Sequence, residues 1–310
     1  MLVSPTSPGV SVLIATLNRD AALETCVQSV LACLHPAFEV IVVVQGGEAC
    51  ALRADPRLRV IESQSVGKSR ALNIALGLAR FPVLAFTDDD CTVPQNWLSE
   101  GERLLGENPS VGLVFSALTA MPHDPAELFV PTFLPPSASV EEGLSAAHVR
   151  AGAGANMFAR RALFDRIGGF DEILGPGAPF RSCEEFDLYY RALRGGFAVL
   201  RTPENPVVHW GARSQHDGSG ERLLLDYWFG EAAVIAKHVR TGDRHSMWLA
   251  ARTFGEELTW AVMAGVRGRS KNCRRAVVWA RGFAKGMSAA VDATKQFFVE
   301  TRGGRAAVPS

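Results

Sequence analysis

A chain of 310 residues, 47% hydrophobic and 21% charged, with no net formal charge, is long enough for one large α/β domain or two smaller ones and has a globular, soluble make-up. Its six cysteines (Cys26, Cys33, Cys50, Cys91, Cys183 and Cys273) are irregularly spaced and form no C-x-x-C pair, which argues against a disulfide framework or a zinc site and for reduced thiols in the cytosol. No stretch reaches about 18 uninterrupted apolar residues, which argues against a membrane-spanning helix, and the first apolar run, 10–17, is too short for a signal peptide.

That run, 10–17, is the first predicted strand. Leu23, Cys26, Val27, Val30, Leu31 and Leu34 then recur at helical spacing, which predicts a helix from about Asp20 until Pro36. Residues 39–44, all Val and Ile after Glu39, predict a second strand closed by the turn Gln45-Gly46-Gly47. A short third strand is expected over 58–61. Gly67 opens a second helix with Leu72, Ala75, Leu76 and Ala79 on its buried side. The run 82–87 reads as a buried strand and ends in Asp88-Asp89-Asp90. A helix follows from Trp97 to about Gly106, then a strand over 112–118. Residues 119–150, rich in Pro and Ser and aperiodic, are expected to form a substrate-facing flap. Extended structure over 152–159, a short helix over 160–166, a helix over 182–194, a strand over 197–200 and an extended segment over 207–210 complete the first 215 residues. Three helices are predicted beyond, over 221–240, 246–266 and 271–299.

Strands alternating with helices at this spacing predict a doubly wound α/β sheet, whose ligands bind beyond the carboxyl ends of the strands. Thr16-Leu17-Asn18-Arg19, Gln45-Gly46-Gly47 and the Asp88-Asp89-Asp90 triplet all fall at such ends. Three adjacent acids repel one another unless a cation sits among them. Oxygen ligands suit Mg²⁺ or Mn²⁺, which commonly recruits phosphate oxygens too. A polar turn is the plainer reading of the triplet alone.

The order of motifs resembles the family 2 glycosyltransferases with the GT-A fold. The matching pieces are 11–19, 39–43, Gly67-Lys68-Ser69-Arg70-Ala71-Leu72-Asn73, Phe86-Thr87-Asp88-Asp89-Asp90, 168–172, Glu184-Glu185-Phe186-Asp187-Leu188 and Val208-His209, within roughly residues 10–213. The resemblance implies a mixed, mainly parallel sheet over 1–215 followed by a helical extension over 216–310. It also implies inverting transfer of a sugar from a nucleotide-diphosphate donor to a sugar or lipid-linked acceptor, in surface polysaccharide or glycoconjugate synthesis. Asp90 and Asp88, with His209, would hold the Mg²⁺ or Mn²⁺. Thr16, Asn18, Arg19, Gln45, Lys68, Arg70, Asp88 and Asp89 would contact the donor. The base would come from Glu184-Glu185, where relatives carry Glu-Asp; Glu185 occupies the base position, but Ser182-x-x-Glu185 also fits a helix capping box. Asn156 and Asp187 would line the acceptor side. Where many relatives have Asp-Asp-Gly-Ser after the second strand, this chain has Val44-Gln45-Gly46-Gly47, which leaves the nucleobase open.

Charge is uneven along the chain. Residues 266–310 carry ten Lys/Arg against Asp292 and Glu300, a net +8, so the rest of this neutral chain carries −8. An acidic body disfavours a nucleic-acid partner. The tail interleaves basic residues with Trp248, Trp260, Trp279, Phe283, Phe297 and Phe298. That pattern fits either peripheral contact with the inner face of a membrane or packing against the catalytic domain or a homodimer partner. Two other functions stay open. A nucleotidyltransferase would want a glycine-rich phosphate loop after the first strand, which Thr16-Leu17-Asn18-Arg19 lacks; a non-catalytic nucleotide-sugar binder would tolerate the Glu-Glu departure.

Overall fold

The computed structural model describes residues 8–17, 19–47, 52–148, 152–266 and 270–299. Its elements in chain order are β1 (Val10–Thr16), α1 (Asp20–Leu31), β2 (Phe38–Gln45), β3 (Leu58–Ser63), α2 (Lys68–Leu78), β4 (Val83–Thr87), β5 (Cys91–Thr92), α3 (Trp97–Glu107) and β6 (Val111–Ala120). The chain continues through β7 (Leu128–Phe129), β8 (Ser139–Glu141), a short 3₁₀ turn, β9 (Asn156–Arg160), α4 (Arg161–Ile167), α5 (Glu184–Arg194) and β10 (Ala198–His209). It ends with β11 (Arg213–Ser214), α6 (Ser219–Arg240), α7 (Arg244–Val266), α8 (Ser270–Ser288), β12 (Val291–Asp292) and β13 (Phe297–Phe298).

Nine strands form one mixed sheet in the order β3-β2-β1-β4-β9-β6-β10-β5, with β8 added on β10. β1, β2, β3 and β4 run parallel, in a register that sets Thr16 beside Val44, and β9 is antiparallel to both β4 and β6. Every residue of β2 and β4 is buried, as expected for strands covered on both faces. One face carries α1 and α3 through Leu23, Val27, Trp97 and Leu105. The other carries α2, α4, α5 and the C-terminal helices through Leu72, Phe164, Tyr189, Ile235 and Trp279. The chain leaves β1 towards β2 and β3 on one side and returns to β4 on the other. The crevice at the carboxyl ends of β1 and β4 is therefore the topological switch point, where open α/β sheets bind ligands.

Three stretches differ from the sequence expectation. The described part of the segment expected as a flap, residues 119–148, carries short strands instead of being aperiodic: β8 pairs with β10, β7 pairs with β11, and Leu118 bridges Phe133. The predicted strands over 197–200 and 207–210 are one strand, β10, with an irregularity between Thr202 and Val207 that absorbs Pro203 and Pro206. The last helix stops at Ser288, not 299. Asp292 Oδ1 accepts hydrogen bonds from the backbone N–H groups of Thr294 and Lys295, an Asx turn that folds 291–298 into the hairpin β12–β13.

The C-terminal helices belong to the same core as the sheet. The α6 segment from Phe229 to His238 is buried. Gly282 and Gly286 let α8 approach it closely, since a Cβ on Gly282 would fall 2.3 Å from Phe229 O and one on Gly286 2.9 Å from Ala233 O. Phe298 stacks on Phe180 at 4.4 Å, and its N–H donates to Asp171 Oδ2 at 2.9 Å.

Candidate active site

The side chains at the switch point form two linked groups. Thr16, the last residue of β1, donates from Oγ1 to Asp89 Oδ2 at 2.7 Å. Arg19, the residue before α1, donates from Nη1 to Asp89 Oδ1 at 3.1 Å and to Asp90 Oδ2 at 2.5 Å. Asp88 turns the other way: its Oδ1 lies 2.6 Å from Lys68 Nζ, which is also 3.3 Å from Glu184 Oε1. Lys68 therefore bridges the acid-tipped strand and the start of α5. Despite burial, Asp88 and Glu184 hold its pKa well above the ordinary lysine value, so it is a cation.

Asp90 meets His209 at the end of β10. His209 pairs with Cys91 across the β10–β5 ladder, which sets its Nε2 3.1 Å from Asp90 Oδ1. Burial favours the neutral acid, but His209 and Arg19 together hold the Asp90 carboxyl down at about 2. Donor atoms of Asp90, Cys91 and His209 lie within 4.8 Å of one another. His209 Nδ1 is buried without a hydrogen-bond partner, and the contact of Asp90 Oδ1 with His209 Nε2 lacks hydrogen-bond geometry, which is costly for groups left unused. Gly211 leaves space beside them: a Cβ there would fall 2.2 Å from Asp90 Oδ2 and 3.0 Å from His209 Nε2. An ionised carboxylate, an imidazole, orphaned polar atoms and an open cradle fit a divalent ion. Burial, then Asp88 and Asp90, push the Cys91 thiol well up, so with no ion bound it stays S–H.

The second group sits at the start of α5. Cys183 adopts a left-handed φ of 67° as the N-cap, and the helix begins at Glu184. The capping box does not form. Ser182 Oγ instead donates to Asp226 O at 2.6 Å, and no side chain caps α5. Glu184 is buried beside Lys68 and Gly175, where a Cβ would fall 3.1 Å from Glu184 Oε2. Glu185 is only half-buried. Burial, and then the neighbouring Glu184 charge, push its carboxyl up to about 8. Gly154 passes close by: a Cβ there would lie 3.7 Å from both Glu185 Cβ and Lys68 Nζ. A titratable carboxyl is thus held near an ammonium and an ionised acid cluster, at the mouth of a sheet built to bind ligands.

The family model described as glycosyl transferase family 2 matches residues 11–168, just over half of the chain. The chain belongs to glycosyl transferase family 2, and it is a glycosyltransferase. No curated protein matches it by sequence. Among solved structures, a mannosyltransferase from Pyrobaculum calidifontis in complex with GDP-Man and Mn²⁺ is 16% identical, with a TM-score of 0.56 over 90% of this chain and 87% of that one. The segment 1–349 of S. aureus TarS in complex with UDP-GlcNAc is 14% identical, with a TM-score of 0.54 over 91% and 93%. Against a longer TarS chain the TM-score is 0.53 at 15% identity, over 73% of this chain and 39% of that one, so this chain spans about two-fifths of its length. At such identities the likeness shows the shared fold.

In this glycosyltransferase the sequence-predicted residues divide by position. Thr16, Arg19, Asp88, Asp89, Asp90, His209, Lys68, Glu184 and Glu185 gather at the switch point, in the two groups described. Asp88 is drawn to Lys68 rather than to the Asp90–His209 pair. Gln45 is a buried tie: Nε2 donates to Thr16 O at 3.2 Å and Oε1 accepts from Gly67 N at 2.7 Å. Arg70 Nε donates to Glu172 Oε2 at 3.1 Å. Asn156 is fully buried among Trp97, Ala117 O and Asn205 O. Asp187 is fully buried in an ion cluster with Arg191, Lys237 and His238. These last two are interior supports, not lining for an acceptor: their polar atoms are taken up by fixed internal partners. Asn18 lies outside the described residues.

Sequence reading passed over three contributors. Gly211 clears room beside Asp90, and its only signal was a glycine two residues after a strand-end histidine. Cys91 backs His209. Tyr227 comes from α6, beyond the predicted catalytic boundary; its backbone O lies 3.4 Å from Cys183 Sγ, the residue before Glu184, and burial, then the Glu185 charge, raise its pKa.

Proposed function

We propose that this glycosyltransferase moves a sugar from a nucleotide-diphosphate donor to an acceptor hydroxyl with inversion, assisted by Mg²⁺ or Mn²⁺. Asp90 and His209 would hold the ion, with Asp88 available once Lys68 turns from it. When bound, the ion supplies positive charge beside the departing diphosphate. The donor complexes of the mannosyltransferase and TarS support a sugar nucleotide as donor. The observation that carries the reading is the pairing of an ionised, partly unsatisfied Asp90–His209 cradle with the raised Glu185 carboxyl across Lys68.

The chain's own groups account for the rest. Glu185, as carboxylate, accepts the acceptor hydroxyl proton while the oxygen bonds to the anomeric carbon. The bond from that carbon to the diphosphate oxygen breaks, and its electron pair leaves with the nucleoside diphosphate. A single base acting opposite the leaving group gives inversion. Arg19 and Lys68, now spent on Asp89, Asp90 and Asp88, are the cations that can turn to the phosphates. Burial, and then the neighbouring Glu184, which contacts Lys68, make Glu185 basic enough to take a proton near neutrality. Glu185, not Glu184, is the base in this reading, because Glu184 is buried and ion-paired while Glu185 retains access. A sugar or lipid-linked acceptor in surface glycoconjugate synthesis fits the same site.

The test is Glu185→Gln, assayed for sugar transfer and for donor binding. Transfer should fall by roughly 10²–10⁴-fold, the scale of general-base catalysis, with donor affinity retained. Early-time NMR of the wild-type product should show the anomeric configuration opposite to that of the donor. Full activity in Glu185→Gln, or retention of configuration, would overturn the assignment.

A further inference from the structure

The helix α7 leaves an apolar stripe without cover. Its inner side, Ser246, Leu249, Thr253 and Glu257, is buried. Met247, Trp248, Phe254, Leu258 and Val262 are 46–59% exposed, and Ala251 lies among them. At 3.6 residues per turn these positions share one face roughly 120° wide and roughly 22 Å long. Arg252 and Glu256 pair with each other at its edge. Contiguous apolar surface of this kind marks an interaction site. The other tail aromatics explain themselves, since Trp279 and Phe298 are buried in the core. The exposed set is therefore concentrated on α7.

We propose that this stripe docks on an anionic lipid bilayer, lying in its surface. Residues 240–288, spanning α7 and α8, carry ten Lys/Arg against Asp243, Glu256 and Glu257. A second copy of the chain would bring that same net positive charge against itself across a symmetric contact. An anionic surface complements it. Trp248, 52% exposed at the edge of the stripe, is a side chain suited to the level of the headgroups. Among the described residues no helix is long and apolar enough to cross a membrane, so the contact is a peripheral one.

One end of the stripe is tied to the segment that precedes β9. His245 Nε2 lies 3.2 Å from Ala147 O, and Trp248 packs on His245 at 5.4 Å between ring centroids. Seven residues after Ala147 the chain reaches Gly154, beside Glu185 and Lys68.

The test is co-sedimentation with vesicles of phosphatidylcholine alone and with added phosphatidylglycerol, at low and high salt. Wild type should bind the anionic vesicles, with tryptophan emission quenched by brominated lipid, and release at high salt. The variant Leu258→Glu/Val262→Glu, at two outward positions, should lose binding by at least about tenfold. Its thermal midpoint and its turnover of donor in solution should be unchanged. Met247→Glu alone should weaken binding in the same direction. No binding to anionic vesicles, binding indifferent to these variants, or a wild-type dimer that Leu258→Glu/Val262→Glu splits would overturn the proposal. Donor turnover without lipid reports separately on the chemical reading.

Discussion

Glu185 carries opposed consequences for rate and for stability. Its folded pKa of about 8 lies above the ordinary glutamate value of about 4.3. A raised folded pKa contributes stability that is fully present below the unfolded pKa and is lost as pH rises through the folded one. Ionising Glu185 therefore costs stability above about pH 4.3. Glu185→Gln should melt higher than wild type at pH 7.5, with the gap closing near pH 4.5 in a calorimetric series. The rate should run the other way: wild-type transfer should climb with pH towards a plateau above about 8, and the residual activity of Glu185→Gln should lack that limb. Gly211 gives a second residue-scale test. Gly211→Ala puts a methyl within 2.2 Å of Asp90 Oδ2, so Mn²⁺ affinity measured by calorimetry should fall at least about tenfold while the thermal midpoint stays near wild type. At this scale the sequence was legible where chemistry is concentrated, in the Asp88-Asp89-Asp90 triplet, His209 and Glu184-Glu185. It was silent on direction. Nothing local shows that Asp88 turns to Lys68 while Asp90 turns to His209, because those choices depend on residues far apart in the chain.

Helix α5 and its neighbours show how an element can mislead. Its first turn offers three acids in a row of four, Glu184, Glu185 and Asp187, and helical periodicity alone cannot sort them. The structure gives them separate fates through the helices packed on them. Asp187 faces α6, where Lys237 approaches it as well as Asp171, and Arg191 and His238 complete the cluster. Although burial pushes it up, Lys237, Arg191 and His238 hold the Asp187 carboxyl well below the usual range. Burial lowers the His238 pKa, so that ring is neutral in the fold. Both depressions act in one direction. Stability is fully present above the unfolded values, about 6.5 for the histidine and about 3.9 for the aspartate, and is lost as pH falls from there down through the lower folded values. Acid titration of the thermal midpoint should show both losses, and His238→Phe should remove the upper one. Lys237→Met leaves buried Asp171 without its cation, while Asp187 keeps Arg191, and should cost about 3–5 kcal/mol in denaturant unfolding. A cost below about 1 kcal/mol, the range of exposed pairs, would mean that the cluster does not hold α6 to the sheet.

For the whole molecule, the alternation of β1, α1, β2 and α2 and the apolar runs of buried strands made the doubly wound sheet and its ligand edge readable. The antiparallel insertion of β9 between β4 and β6 was not readable, since pairing partners distant in sequence leave no local mark. The C-terminal helices were legible as helices, with packing against the catalytic domain left as one alternative among others. Their union with the sheet rests on Gly282, Gly286 and the return of Phe298 onto Phe180, contacts that only the folded chain defines. The molecule thus places an acid–imidazole cradle at one side of the switch crevice, a raised carboxyl at the other, and Lys68 between them. The most direct measurement of that arrangement is nucleoside diphosphate release from a panel of sugar nucleotides as Mn²⁺ is titrated, for wild type and Asp90→Asn. The account expects release that rises to saturation with Mn²⁺ in wild type and loses its Mn²⁺ dependence in Asp90→Asn, with calorimetric Mn²⁺ binding lost in parallel. Release that ignores Mn²⁺, or that responds to it equally in Asp90→Asn, would contradict it.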